Sequence, residues 1–180
     1  MPLRLHPVLS ALDIPQAELW AAKLDGELFQ IGECFSPIDE IEQPAHRASA
    51  VHAGMSGRVI AEQLSAAWIW GALPAAPAHH QLCVAMDARV GHEVPRSVTV
   101  REVVIEFHEV ALVGGLRVTT PLRTVIDLAR VSPSFTDLER HTVRSLMLRF
   151  ALGLDDCVVE LNVRRNLPGK RRALERLSRC

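Results

Sequence analysis

Arg123 and Asp127 are the two residues whose types and spacing best suit chemistry. They stand four apart in residues 118–130, VTTPLRTVIDLAR, a separation that brings two side chains together on one helix face. A guanidinium in such a pair can hold a phosphate while the carboxylate takes a proton. The pair can equally brace its helix against whatever the helix covers, and the frequency of such pairs in ordinary helices favours that structural role. Other combinations are weaker. His79 adjoins His80, with His92 and His108 further on, but no spacing supplies the remaining ligands of a metal site. Ser65, His141 and Asp155 would make a nucleophile, a base and an acid, yet no GxSxG elbow presents the serine. Cys34, Cys83, Cys157 and Cys180 include no pair close enough for a zinc knuckle or a CxxC redox motif, which predicts reduced thiols, three buried and Cys180 in a free tail. The lysines, Lys23 and Lys170, follow Ala21 and Pro168 two positions back, so acid-x-lysine nuclease chemistry lacks its lysine. No catalytic residue, metal or cofactor is expected.

Charge is distributed unevenly. The net charge of −1 combines −5 over residues 1–64, −2 over 65–139 and +6 over 140–180. A phosphate-binding surface needs clustered Lys and Arg, and only the end of the chain offers them: Arg164, Arg165, Lys170, Arg171, Arg172, Arg176 and Arg179. These are the candidate contacts to nucleic acid or to an acidic partner, against the simpler reading of a solvated helix face. Opposite charges at the two ends further suggest that the basic helix docks on the acidic N-terminal part, within one chain or between two copies. Three Trp, five Phe and no Tyr make a base-stacking platform for single strands an unsuitable reading.

The frame that must hold these residues follows from periodicity. Pro15 opens a helix with Leu19, Trp20, Lys23 and Leu24 at helical spacing, closed by Asp25-Gly26. Residues 27–35 read as a short hairpin or wing, 36–44 as an acidic loop and 45–55 as a weak helix. Val59, Ile60, Leu64, Ala67 and Trp68 predict a single helix over 58–70. Residues 81–119 alternate with period two and predict about four antiparallel strands, with Gly114-Gly115 as a tight hairpin turn. Thr120 fits the N-cap and Pro121 the first position of the helix carrying Arg123 and Asp127. Thr136 and Glu139 form a capping box for the next helix; a further helix follows over 154–163, and Pro168 opens a basic one. A chain of 180 residues, 48% hydrophobic, can bury one core and a small appended module. The longest apolar run, 65–77, falls short of the roughly 20 residues that span a bilayer, and MPLRLHPVLSALDIP makes no signal peptide, so the expected setting is the cytoplasm. The predicted fold class is α+β, with a reduced helix-and-wing module over 1–44, a central antiparallel sheet packed by helices over 45–135 and a basic helical tail over 136–180.

Three stretches, in this order, resemble the AbiEi-type antitoxins and transcriptional regulators of actinobacteria, from type IV toxin–antitoxin systems. Residues 24–35, LDGELFQIGECF, are similar to the end of that family's recognition helix and wing, SGRLxRLxRGVY. Residues 64–71, LSAAWIWG, resemble its SHxSAAxLWG helix, and 118–130 resemble VTTPxRTxxDLAR, with Thr120, Pro121, Arg123 and Asp127 matching. The resemblance implies a winged helix that binds operator DNA and a following domain that counters a nucleotidyltransferase toxin. Departures bear on the first of these. Only fourteen residues precede Pro15, where the family has further helices. The recognition-helix positions carry Lys23 against Glu18 and Asp25, and the wing arginines are replaced by Glu27, Gln30 and Glu33. The C-terminal nuclease-like domain of longer relatives has no counterpart in the sequence. The expected function is that of a non-enzymatic regulatory protein with a toxin-like protein partner, and with DNA and a second copy as further partners. The alternatives are an inactive remnant of a nuclease-like protein and a dimer that binds DNA through its basic tail.

Overall fold

Proline fixes φ near the helical value and needs no N–H partner at a helix start, and Pro15 sits just before α1 (Gln16–Leu24). This computed structural model describes residues 6–53, 55, 58–86, 97–163 and 167–180; Arg164, Arg165 and His92 lie outside the described residues. Behind α1, Gly26 turns the chain at φ +78 into β1 (Leu28–Ile31), which pairs antiparallel with β2 (Cys34–Pro37). Leu9 adds a bridge to Phe35. Leu9, Leu19, Leu28 and Phe35 form a small core of their own. Ile31 points instead into the main core, and a side chain at Gly32 would meet the Trp68 ring at 3.4 Å. The hairpin tip therefore rests on the central body.

The central sheet has the order β5-β4-β3-β7-β6, built from β3 (Ile60–Ala61), β4 (His80–Ala85), β5 (Val98–Val103), β6 (Val110–Val113) and β7 (Leu116–Thr119). It is mixed, which corrects the antiparallel sheet expected from sequence. β3 is antiparallel to β4 but parallel to β7, and β4 is parallel to β5. Only β6 and β7 form the expected hairpin, through Gly114 and Gly115 at φ +52 and +81, the positive pair that a type I′ turn requires. The single helix expected over 58–70 is also corrected. Ile60 and Ala61 are consecutive and both buried, on opposite faces of the sheet. Ile60 packs with Cys83 and Val103, whereas Ala61 joins Leu82 and Val118 in the main core. A central strand buried on both faces loses the polar–apolar alternation that would reveal it, so the helical spacing of Ile60 with Leu64 was misleading. The helix itself, α3, is shorter (Gln63–Ile69).

Helices cover the Ala61 face. α2 (Pro44–His52) packs on β7 and on α3, and α3 packs in turn on α4 (Pro121–Val131), which is buried at every position from Arg123 to Ala129. α5 (Asp137–Arg149) begins at the expected capping box, with Thr136 and Glu139 bonded reciprocally. α6 (Leu154–Val163) and α7 (Lys170–Leu177) add Cys157, Leu161, Ala173 and Leu177 to the same core. Among the described residues, no helix is long and apolar enough to cross a membrane.

Candidate functional site

α4 is positioned at its first turn. The Thr120 side chain accepts from the Arg123 N–H at 3.4 Å, and Pro121 occupies the start. The helix then presents Arg123 and Asp127 to the sheet. Arg123 Nε donates to Asp127 at 2.8 Å and its Nη1 to Glu109 at 2.6 Å. Asp127 also accepts from Arg130 at 2.7 Å and faces Arg101 Nη2 at 3.5 Å. Arg101 in turn grips Glu62 with two bonds of 2.5 and 2.6 Å. The result is one network, Glu62–Arg101–Asp127–Arg123–Glu109 with Arg130 as a branch, in which three carboxylates meet three guanidinium groups. Glu62, Glu109, Arg123 and Asp127 are all buried. Burial works against the charge on Arg123, but Asp127 and then Glu109 outweigh it and hold its pKa above the usual arginine value.

Sequence reasoning found Arg123 with Asp127 and missed the rest. Ile60, Cys83 and Arg101 stand in one row across three strands, and Glu62 lies two residues beyond Ile60 on the same face. The available signal was a charged residue at an inward strand position, Arg101 sharing its face with Val103. Chemically, the network is closed, since each carboxylate is already held by a guanidinium. One group of metal-ligand type occurs among the described residues, His108, Glu109 and Glu160, with ligand atoms within 4.8 Å of one another. Both Glu109 oxygens are engaged, one by Arg123 and the other by the Glu106 N–H, so a cation there would have to displace them.

The paper triad does not assemble. Ser65 is fully buried and meets His80 Nδ1 at 3.1 Å, while accepting from the Gln81 N–H. Burial lowers the pKa of His80. His141 instead bonds the Asp137 carbonyl on its own helix, and Asp155 lies exposed at the start of α6. Cys34, Cys83 and Cys157 are buried free thiols and Cys180 is half-buried. Burial pushes Cys34 and Cys157 up to about 11 and Cys83 further, which keeps them protonated and poorly nucleophilic.

The basic tail is not one surface. α7 lies on α4 through Ala173 and Leu177 rather than on the acidic N-terminal part, which corrects the intrachain docking expected from charge. Arg172 reaches the Arg130 carbonyl at 2.5 Å, and Arg176 reaches those of Ala129 and Ser132 at 2.9 and 2.8 Å. Both therefore satisfy the orphan carbonyls at the C-terminal end of α4, where positive charge also suits the helix dipole. Arg171 points outward to Glu175 at 3.2 Å with its side chain 94% exposed, and Arg179 is exposed. Arg176→Gln is expected to cost about 1–3 kcal/mol, since bonds from a charged donor to buried carbonyls are lost. Arg171→Gln should stay within about 0.5 kcal/mol. Urea denaturation of the two variants checks this; equal midpoints would show that Arg176 caps nothing of consequence.

The N-terminal unit holds one described helix before its hairpin, α1. Lys23, its one base, lies 4.5 Å over the Trp20 ring and donates to Gln30, while Trp20 meets Phe35 edge-on at 5.3 Å. Glu18, Asp25, Glu27 and Glu33 are exposed.

Three chains of solved structure match, among them the crystal structure of the RV2827C protein from Mycobacterium tuberculosis. It shares the fold with a TM-score of 0.52 at 17% identity, over 96% of this chain and 72% of that one. No curated protein matches the sequence. The family model for the AbiEi antitoxin C-terminal domain matches residues 60–148. That stretch runs from the first residue of β3 to the last turn of α5 and contains the whole ionic network, so the part of the chain that holds the network matches the AbiEi-type antitoxin family.

Proposed function

We propose that the chain is a non-enzymatic regulatory protein of the antitoxin kind, working in the cytoplasm, whose domain over 60–148 acts against a nucleotidyltransferase toxin. The observation that carries this reading is the closed network inside the family domain. Glu62, Glu109 and Asp127 are each held by an arginine, which leaves the domain's buried acids as braces rather than as reagents. Arg123 and Asp127 keep the sheet and α4 in register, and Thr120 and Pro121 set where α4 begins. The test is co-expression with the product of a neighbouring nucleotidyltransferase reading frame. Growth should be rescued by this chain and by its Glu33→Gln variant alike. A toxin whose effect the chain leaves untouched overturns the reading.

DNA is a second partner class only through the exposed Arg171 and Arg179 and the half-buried Lys170, with Arg164 and Arg165 shortly before them in sequence. α1 and its wing present carboxylates where phosphates would approach, which is unfavourable. Fluorescence anisotropy of the full chain with duplex DNA from its own upstream region, at low salt, should detect at most weak binding. Arg171→Gln with Arg179→Gln should abolish what there is. Tight binding that survives this double substitution would restore the operator-binding role of the N-terminal unit.

A further inference from the structure

α1 turns an apolar stripe to solvent. Ala17, Trp20, Ala21 and Leu24 follow the i, i+3, i+4, i+7 spacing of one helix face, and all four are exposed, Leu24 at 85% and Trp20 at 40%. The opposite face supplies Leu19 to the small core, so the helix is apolar on both sides. This is unusual for a surface helix, whose outer face is normally polar. It is also unsuited to reading DNA, because base edges are recognised by hydrogen-bonding side chains, and Ala17, Ala21 and Leu24 offer none. Glu18 and Asp25 border the stripe on one side and Glu27 follows it, while Lys23 lies over the Trp20 ring on the other side; the exposed Ile38 is tied to the Glu27 carbonyl by its N–H at 2.9 Å.

We propose that this face is a docking surface for an amphipathic helix with basic flanks, carried by a partner protein. The two alanines leave room for close approach of a second helix, Trp20 and Leu24 supply anchors of the kind that dominate interfaces, and the acidic border selects cationic flanks. A second copy of α1 fits less well. An antiparallel two-fold pair brings the Glu18 and Asp25 borders of the two helices to the same side, so like charges meet. The inference is independent of the toxin reading, since it concerns a different part of the chain.

The probe is a designed Leu/Lys helix of about five turns, with leucines at i, i+3, i+4 and i+7, titrated by calorimetry into the full-length chain. Controls are its Leu/Glu counterpart, a Leu/Lys peptide of the same composition without the stripe, and duplex DNA. The Leu/Lys helix should bind, the two control peptides should not, and any weak binding of duplex DNA should be unaffected by substitutions in the stripe. Ala21→Glu and Leu24→Glu should each weaken binding about tenfold or more, although each adds negative charge, with the thermal midpoint unchanged because both positions face solvent. Glu18→Gln with Asp25→Asn should weaken it too, and added salt should have the same effect. The proposal fails if Leu24→Glu tightens binding, which would mean bare charge attraction. It also fails if the striped and unstriped peptides bind equally, if the Leu/Lys helix does not bind, if duplex DNA binds through the stripe, or if sedimentation shows a dimer of the chain that Leu24→Glu dissolves.

Discussion

Asp127→Asn is expected to lower the stability of the folded chain by about 3–5 kcal/mol, the usual cost of removing one partner from a buried ion pair. For a chain of this length that is a fall of about 10 °C in thermal midpoint. Asp127 is 1% exposed and receives Arg123, Arg130 and Arg101 on its two oxygens. Asparagine keeps the shape, removes the charge and turns an NH2 toward guanidinium groups that already donate. Arg123 keeps only Glu109, and Arg101 only Glu62. The control is Asp137→Asn, whose ion pair with Arg140 lies at the surface and should change stability by no more than about 1 kcal/mol. Thermal and urea unfolding of both variants separate a brace from a functional group. If Asp127→Asn left the midpoint unchanged yet abolished the chain's action on a partner, Asp127 would be a contact residue and the structural role assigned to the network would be wrong.

The network also shows where sequence reading stops. Arg123 with Asp127 is local, set by helical geometry alone, and so was visible. Glu62, Arg101 and Glu109 reach the same place only through strand register and the mixed order of the sheet, which depends on β3. That strand is two residues long and buried on both faces, so it carries no alternation. Once its presence is missed, a central sheet reads as antiparallel and its acids look scattered. The capped helices and the Gly-Gly hairpin were legible because each rests on one or two residues with a local physical requirement.

The arginine-rich composition is similar. From charge and spacing alone the basic tail reads as one surface. In the fold, many of these side chains turn to main-chain carbonyls at helix ends. Arg47 bonds those of Trp68 in the last turn of α3 and of Leu73 beyond it, Arg149 that of Gly71, and Arg172 and Arg176 those ending α4. Two N–H groups of one guanidinium can serve two neighbouring carbonyls in a fixed fork, a geometry that an ammonium does not hold. Charge counting cannot distinguish an arginine that closes a helix from one that waits for a phosphate; only the position of the neighbouring helix end does.

The adjacent glycines of the β6–β7 turn should respond very differently to alanine. Both have positive φ, which costs a side chain roughly 1–2 kcal/mol. At Gly115 a Cβ meets nothing within 4 Å, so Gly115→Ala should cost about that amount and no more. At Gly114 the Cβ would stand 2.3 Å from the Ala45 carbonyl oxygen and 3.0 Å from Ser49 Oγ, against the first turns of α2. The obstacle is backbone, and Ser49 already donates to the Gly114 carbonyl at 3.2 Å, so relief requires the hairpin and α2 to move apart. Overpacking of this kind adds about 1–3 kcal/mol, bringing Gly114→Ala to about 2–5 kcal/mol. The comparison is made by urea unfolding of the two single variants, with backbone strain nearly cancelling between them and the difference reporting the contact with α2. Equal losses would mean that the hairpin does not bear on α2, and that the sheet edge and the N-terminal half of the chain are joined less closely than this packing requires.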